Sequence, residues 1–489
     1  MALDLSLYLV TDSTPAILRG HDICKVVEEA LKGGVTVVQY RDKKSDTGDL
    51  VKTAKKLHEI TRRYNVPLII NDRVDVAIAS GAEGVHLGQD DMSTTKPSRI
   101  RRHAVKAVEE GADYLGIGTI FATPTKTNTK SIIGTAGAKI ILDSLSRLDR
   151  SVSTVAIGGI NLSNVQRVLY QSAGQSGKQL DGVAVVSAIM AADDPKSAAE
   201  EIKKIMAVPP PFATRQLSSP RESELATDVP GVVQQVVTAH PIVHSMINFV
   251  VANFVANVAI AAGVSPIMSQ YGDEAKDLAV HGGGLVINMG TLTSASVTEY
   301  LKAIKAYNSN GNPVVLDPVG AGATAIRRGA VKTLMAGGYF DLIKGNEREI
   351  KEVYGNTTNE QGTQRGVDSG PRNVVLLTGS TDYLSDGNRV IAVKNGHELL
   401  SRATGTGCAV GTICGAYLAA FRDDKLLAVL AGLLMYEIAA ENAAAKDTVQ
   451  GPGTFLPAFL DEIYSIVQKA SQGEHTWFEG RAKIEHIAL

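Results

Sequence analysis

Residues 207–230 read AVPPPFATRQLSSPRESELATDVP, and this stretch divides the chain because it carries neither a two-residue nor a 3.6-residue apolar period. Pro209, Pro210 and Pro211 fix φ and remove backbone donors, so neither flanking pattern continues through them as one element. It reads as a semi-rigid linker. The expected division is therefore 1–207, a linker at 208–230, and 231–489.

A chain of 489 residues exceeds what one hydrophobic core serves, and two large α/β units fit its length. The composition, 44% hydrophobic with 47 glycines and 5% aromatic residues, suits strands and helices joined by glycine turns. A net charge of −2 gives no electrostatic reason to expect nucleic acid or an anionic membrane as partner. Cys24, Cys408 and Cys414 form no CxxC or Cys/His ligand spacing, which favours a reducing compartment, the cytoplasm by default. Residues 246–264 are apolar, but Asn248, Asn253 and Asn257 interrupt them, and they read as a buried helix rather than a membrane span.

Upstream of the linker, LSLYLVTD, VTVVQYR, PLIIND, GVHLG, YLGIGTIF, STVAIGGI and GVAVVSAI read as strands, with helix-period segments between several of them. The alternation predicts a parallel sheet closed into a (β/α)8 TIM barrel. Seven strands are counted, one short. Barrel chemistry sits at the carboxyl ends of strands, and these ends are polar: Gln39, Arg41 and Lys43 after the second, Asn71 and Asp72 after the third, Asp91 after the fourth. Cations facing carboxylates suit a Mg²⁺-diphosphate, with oxygen ligands for the metal and positive charge for the remaining phosphate oxygens. For any one of these residues a solvated salt bridge is the simpler explanation; the joint placement argues for a site. The late loops, Thr123 to Lys126, Gly158-Gly159 and Val186-Ser187, offer backbone donors of the kind that hold a phosphate.

The runs LYLVTD, VVQYRDK, NDRVDVAIASGAEGVHLGQDD, GTIFATPTKT and AIGGI resemble thiamine-phosphate synthase. The resemblance implies condensation of hydroxymethylpyrimidine diphosphate with hydroxyethylthiazole phosphate to give thiamine phosphate and diphosphate. It implies Gln39, Arg41, Lys43, Asn71 and Lys126 for the diphosphate substrate, and Asp72 and Asp91 for Mg²⁺. Thr123, Thr125, Gly159, Val186 and Ser187 would hold the thiazole phosphate. The family has a further strand between the positions of Asp91 and Asp113, absent here, so the expectation is that residues are missing near 92–103.

Downstream, strands such as LVINMGTL, NPVVLDPVGAGAT, FDLIKGNEREI and NVVLLTG alternate with helices of small residues, as in an open parallel sheet covered on both faces. No GxxxxGK[ST] occurs, which argues against a P-loop. Instead Thr404-Gly405-Thr406-Gly407-Cys408 precedes the helical run AVGTICGAYLAAF. A helix start there places backbone donors beside Cys408, binds a phosphoryl group and lowers the thiol pKa enough for a general base. An isolated cysteine at a helix start is otherwise a small packing residue.

PIVHS, NFVVANFVAN, SPIM, VLDPVGAGAT, GNEREI, LLTG, TGTGC and GPGTF resemble hydroxyethylthiazole kinase, of the ribokinase-like fold. The resemblance implies ATP-dependent phosphorylation of hydroxyethylthiazole, with Cys408 as base and Asn248, Met268 and Gly405 at the thiazole. Lys344, Thr378 and Gly407 would face ATP, and Asp317 and Glu349 would belong to the Mg²⁺ network. Lys344 stands where the family often has arginine, and a segment near 370–372 is shorter than in the family.

Together the resemblances predict a bifunctional thiamine-biosynthetic enzyme in which the second half makes what the first consumes. The other readings are one inactive half, or a thiamine-pathway binding or regulatory protein. A homo-oligomer, trimer or hexamer, is expected through the second half.

Overall fold

The computed structural model describes residues 3–88, 97–123, 132–174, 176–213, 225–354 and 373–487. Contacts gather into two compact units, Met1–Pro210 and Pro211–Leu489. The described part of the 207–230 stretch departs from the expected linker at its end, because Leu225–Ala239 is one helix that takes in Pro230. Its buried positions, Leu225, Val229, Val232, Val233, Val236 and Val237, keep a helical three-four spacing. That stripe packs against the helices Lys425–Ala444 and Pro452–Ser471, and it outweighs the one hydrogen bond that proline removes.

The first unit carries seven described strands: β1 (Leu7–Val10), β2 (Val37–Tyr40), β3 (Leu68–Asn71), β4 (Gly84–His86), β5 (Tyr114–Gly118), β6 (Ser153–Ile157) and β7 (Gly182–Val185). They pair in the order β4-β3-β2-β1-β7-β6-β5, every pair parallel. β1 to β4 add one beside the next, β5 to β7 do the same, and β7 returns to β1, which is the winding of a barrel. Side chains alternate across it. Tyr8, Val10, Val37, Ile69, Val155 and Ala184 form an inner cluster, while Leu7, Leu9, Val38, Leu68 and Ile70 pack outward with the helices.

The ring is not completed by backbone, since β4 and β5 share no ladder among the described residues. The further strand expected between Asp91 and Asp113 has no counterpart among the described residues, and residues 89–96 lie outside them. Side chains span the break instead. His86, ending β4, bonds through Nδ1 to the Tyr114 hydroxyl opening β5, at 2.8 Å.

The second unit carries β8 (Ile242–Met246), β9 (Ser265–Ile267), β10 (Gly284–Asn288), β11 (Val314–Asp317), β12 (Leu342–Asn346), β13 (Val374–Thr378), β14 (Asp382–Ser385), β15 (Val390–Val393) and β16 (Ile484–Ile487). The order is β16-β15-β14-β13-β12-β11-β10-β8-β9, parallel from β9 to β13 and antiparallel beyond. Because β9 lies outside β8 and β10 on its other side, the winding reverses at β8. In open α/β sheets ligands bind beyond the carboxyl ends of the strands at such a reversal.

Two apolar layers flank this sheet. Val243, Val286, Val315, Leu342 and Leu376 face the layer that holds the helices Thr406–Ala420 and Lys425–Ala444. Leu285, Ile287, Leu316, Ile343 and Val375 face the opposite one. Lys425–Ala444 is the one described helix long and apolar enough to cross a membrane, and 89% of that window is buried inside the unit. The 246–264 stretch, expected as one buried helix, instead ends β8, turns, and forms the ten-residue helix Ala252–Ala261, leaving Phe249, Val250 and Ile260 exposed. The helix starts only after the turn, so Asn248 sits at a strand end.

Candidate functional site

In the second unit the strand parity that sorts the core also sorts the polar strand ends. Val286, Val315 and Leu342 face the Thr406–Ala420 helix, so two residues on, Asn288, Asp317 and Lys344 face it too. All three are buried. Lys344 Nζ lies 3.4 Å from Asp317 Oδ1, and Asn288 donates through Nδ2 to Asp317 Oδ2 at 2.9 Å. Asn248 donates through Nδ2 to Asn288 Oδ1 at 3.0 Å and to Cys408 Sγ at 3.8 Å. A backbone N–H can only donate, so the Gly290 amide on Asn288 Oδ1, at 3.0 Å, fixes both side-chain amides.

Cys408 therefore joins Asn248, Asn288, Asp317 and Lys344 in one connected group. Asn288 was missed in the sequence because it closes an apolar run; its parity with Asp317 was the available signal. Gly405 caps the helix at φ 95°, and a side chain there would meet Phe254 Cδ1 at 2.9 Å and Val251 Cβ at 3.1 Å. Gly407 lies over Lys344, whose Nζ is 3.7 Å from where its Cβ would be. Met268 follows β9 and packs against the same apolar layer. Thr378 ends β13 opposite Asn346. Glu349 accepts from Gly320 N at 2.8 Å and Asn346 N at 2.9 Å, so it ties two strand-end loops together.

The electrostatics differ from expectation at Cys408. Its thiol pKa is raised, not lowered: burial is the largest cause and Asp317 adds to it, while Lys344, Asn288 and Asn248 act in opposition. Burial of the sulfur outweighs the helix start. Burial likewise raises Asp317, with Lys344 opposing. Burial disfavours the Lys344 ammonium, but Asp317, Cys408 and Glu349 outweigh it and its pKa is raised.

In the first unit β2 stops at Tyr40, so alternation alone does not carry Arg41 and Lys43 to one side. Contacts do. Gln39 donates to Asn71 Oδ1 at 2.7 Å, Asn71 donates to Asp72 Oδ2 at 2.8 Å, and Lys43 Nζ lies 3.7 Å from Asp72. Arg41 turns to Asp12, at 3.4 Å, a buried carboxylate at the end of β1 not singled out from sequence. Asp72, half-exposed with φ 62°, presents a carboxylate edge to solvent.

Across the barrel, Phe121 N donates to Gly158 O at 3.0 Å. A Cβ on Gly159, at φ 67°, would meet Ala122 O at 2.8 Å. The loop reaching Thr123 thus packs on the Gly158-Gly159 turn, while Val186 and Ser187 follow β7. Asp91, Thr125 and Lys126 lie outside the described residues. Among the described residues no group of three or more His, Cys, Asp or Glu side chains is arranged to hold a metal ion.

Residues 7–189 match the Thiamine monophosphate synthase family and residues 233–469 the Hydroxyethylthiazole kinase family. The chain is 41% identical over 520 residues to a probable thiamine biosynthetic bifunctional enzyme of Schizosaccharomyces pombe, covering 99% of each. That alignment is longer than the chain's 489 residues, so it passes over positions with no counterpart here. Identity to the thiamine biosynthetic bifunctional enzyme of Saccharomyces cerevisiae is 35%, over 95% of each chain. A hydroxyethylthiazole kinase of Moorella thermoacetica is 41% identical over 48% of this chain and 91% of its own length.

Proposed function

Because the chain belongs to the thiamine biosynthetic bifunctional enzyme family, we propose that its halves carry out consecutive reactions. The second phosphorylates hydroxyethylthiazole with ATP, and the first joins the product to hydroxymethylpyrimidine diphosphate. The observation that carries the residue assignments is convergence. Of the residues expected from sequence, Asn248, Asp317, Lys344 and Cys408 form one connected group at the reversal of the second sheet. Gln39, Asn71, Asp72 and Lys43 form another at the rim of the first.

In the kinase half Cys408 takes the proton of the thiazole's hydroxyethyl oxygen as that oxygen captures the γ-phosphoryl group of ATP and ADP departs. Asn248 holds the sulfur, Met268 and Gly405 flank the thiazole, and the helix start at Gly407 with Thr378 serves the phosphates. Lys344 supplies charge from beneath. Asp317 is already bonded to Lys344 and Asn288, and both Glu349 oxygens accept backbone N–H groups. These two fit as supports of the loops around a Mg²⁺-nucleotide rather than as bare metal ligands.

In the synthase half, Asp72's half-exposed carboxylate fits Mg²⁺, which is held through one or two carboxylates plus substrate phosphates; Asp91 would be the second. When bound, Mg²⁺ supplies positive charge against the leaving diphosphate. Arg41, Lys43 and Lys126 add to that charge while the methylene–oxygen bond breaks and the thiazole nitrogen forms the new carbon–nitrogen bond. Gln39 and Asn71 orient the pyrimidine. Thr123, Thr125, Gly159, Val186 and Ser187 hold the thiazole phosphate.

Asp72→Ala is expected to abolish condensation and spare thiazole phosphorylation, and Cys408→Ala the reverse. Loss of both activities from either change in a folded chain would sink the assignment. A second reading, an inactive synthase half, draws on the break between β4 and β5; condensation by the unaltered chain excludes it. A cytoplasmic homo-oligomer is also proposed, since Phe249 and Val250 are exposed next to Asn248 and Ile260 is exposed near the end of the helix that follows. A monomer by light scattering at micromolar concentration would contradict it.

A further inference from the structure

A line of hydrogen bonds crosses the barrel interior from the break in the ring to Asp72. His86 Nδ1 meets the Tyr114 hydroxyl at 2.8 Å, and that hydroxyl meets the Tyr8 hydroxyl at 2.9 Å. Tyr8 bonds to Gln39 Oε1 at 3.0 Å, Gln39 Nε2 to Asn71 Oδ1 at 2.7 Å, and Asn71 Nδ2 to Asp72 Oδ2 at 2.8 Å. The line exists because β4 and β5 are neighbours without a ladder, which lets the Tyr114 ring approach His86, with centroids 5.7 Å apart.

Its polarity is forced from one end. As a carboxylate Asp72 only accepts, so Asn71 gives it an amide proton and turns its carbonyl to Gln39. Gln39 then donates to that carbonyl and presents Oε1 to Tyr8. Tyr8 has one proton, which goes to Gln39, so its oxygen accepts from Tyr114, and the Tyr114 oxygen accepts from a protonated His86 Nδ1. Every donor points the same way.

We propose that Tyr8, Tyr114 and His86 are positioning residues of the condensation site, locking Gln39 and Asn71 in the one amide orientation that serves the pyrimidine diphosphate. Flipping the Gln39 amide would set its NH₂ against the Tyr8 proton and its oxygen against the Asn71 carbonyl, two mismatches in a buried place. The inference rests on the synthase site proposed above, and the test separates the two.

The Michaelis constant for hydroxymethylpyrimidine diphosphate is measured on the full chain, with that for thiazole phosphate as the internal reference. Gln39→Ala tests the site: an unchanged pyrimidine constant overturns the site, and the inference with it. Tyr8→Phe tests the positioning. The expected result is a rise of roughly tenfold, the effect of one lost buried hydrogen bond, confined to the pyrimidine substrate and absent when Gln39 is already alanine. Tyr114→Phe is expected to act in the same direction and more weakly. A Tyr8→Phe effect that is nil, shared by both substrates, or additive with Gln39→Ala overturns the inference alone. Nitrogen chemical shifts of His86 give a readout free of activity: a proton on Nδ1 is expected, and an unprotonated Nδ1 refutes the line's direction.

Discussion

Replacing Lys344 by methionine nearly keeps the side chain's length and removes its charge from the centre of the candidate kinase site. Its ammonium lies 3.4 Å from Asp317, with side chains 6% and 0% exposed. At an effective dielectric of ~20 that pair attracts by about 5 kcal/mol, part of which offsets the cost of taking both ions out of water. Leaving Asp317 alone costs about 3–5 kcal/mol, reduced by whatever Asp317 recovers on taking up a proton. A loss of roughly 3 kcal/mol in the kinase half is therefore expected in urea unfolding followed by circular dichroism, with the synthase transition unmoved. Lys344 also holds the Cys408 thiol down, so alkylation of Cys408, followed by peptide mass, should need a higher pH in the variant. The Asp317→Asn, Lys344→Met double variant removes both charges and should recover more than half of the lost stability. A single variant costing less than about 1 kcal/mol, the level of an exposed pair, with unchanged alkylation, would refute the buried-pair argument.

The raised Cys408 pKa has a direct kinetic sign. If the thiolate is the base, kcat/KM for hydroxyethylthiazole should climb with pH through neutrality and level off only above the ordinary thiol range; a plateau already reached at pH 7 would exclude that role. Gly405→Ala forces a side chain into a φ of 95° and to within 2.9 Å of Phe254. It should lose about 1–3 kcal/mol of kinase-half stability and most phosphorylation, and a fully active, equally stable variant would show that the turn relaxes freely.

Much of the architecture was legible because period and parity are local. LYLV in the first half and VVLD in the second announce buried strands by their own residues, and the seven runs read in the first half are the seven strands found among its described residues. The pairing that follows from the missing eighth was not legible, since nothing in GVHLG or YLGIG says that these edges become neighbours joined by His86 and Tyr114. The helix beginning at Leu225 was hidden for another reason. Its apolar stripe straddles Pro230, so the serine- and proline-bearing residues just before it mask the first turns of the helix.

At the sites, residue type was readable and electrostatic consequence was not. TGTGC marks a helix start, and a helix start by itself argues for a lowered thiol pKa. What reverses the sign is the depth of Cys408 and the approach of Asp317 from β11, far away in sequence, against the opposing Lys344 of β12. The same distance explains Asn288. Its amide matters only once Gly290, Asn248 and Asp317 stand around it. In this half charge is managed by enclosure: Lys344 has a raised pKa in spite of its burial because Asp317, Cys408 and Glu349 surround it. A cation so held keeps its proton, which suits the role proposed for Lys344 of neutralising a transferring phosphoryl group. Arginine keeps its charge without such help, so under the proposed assignment a lysine at position 344 depends on Asp317 and Glu349 for the charge it brings to the phosphates.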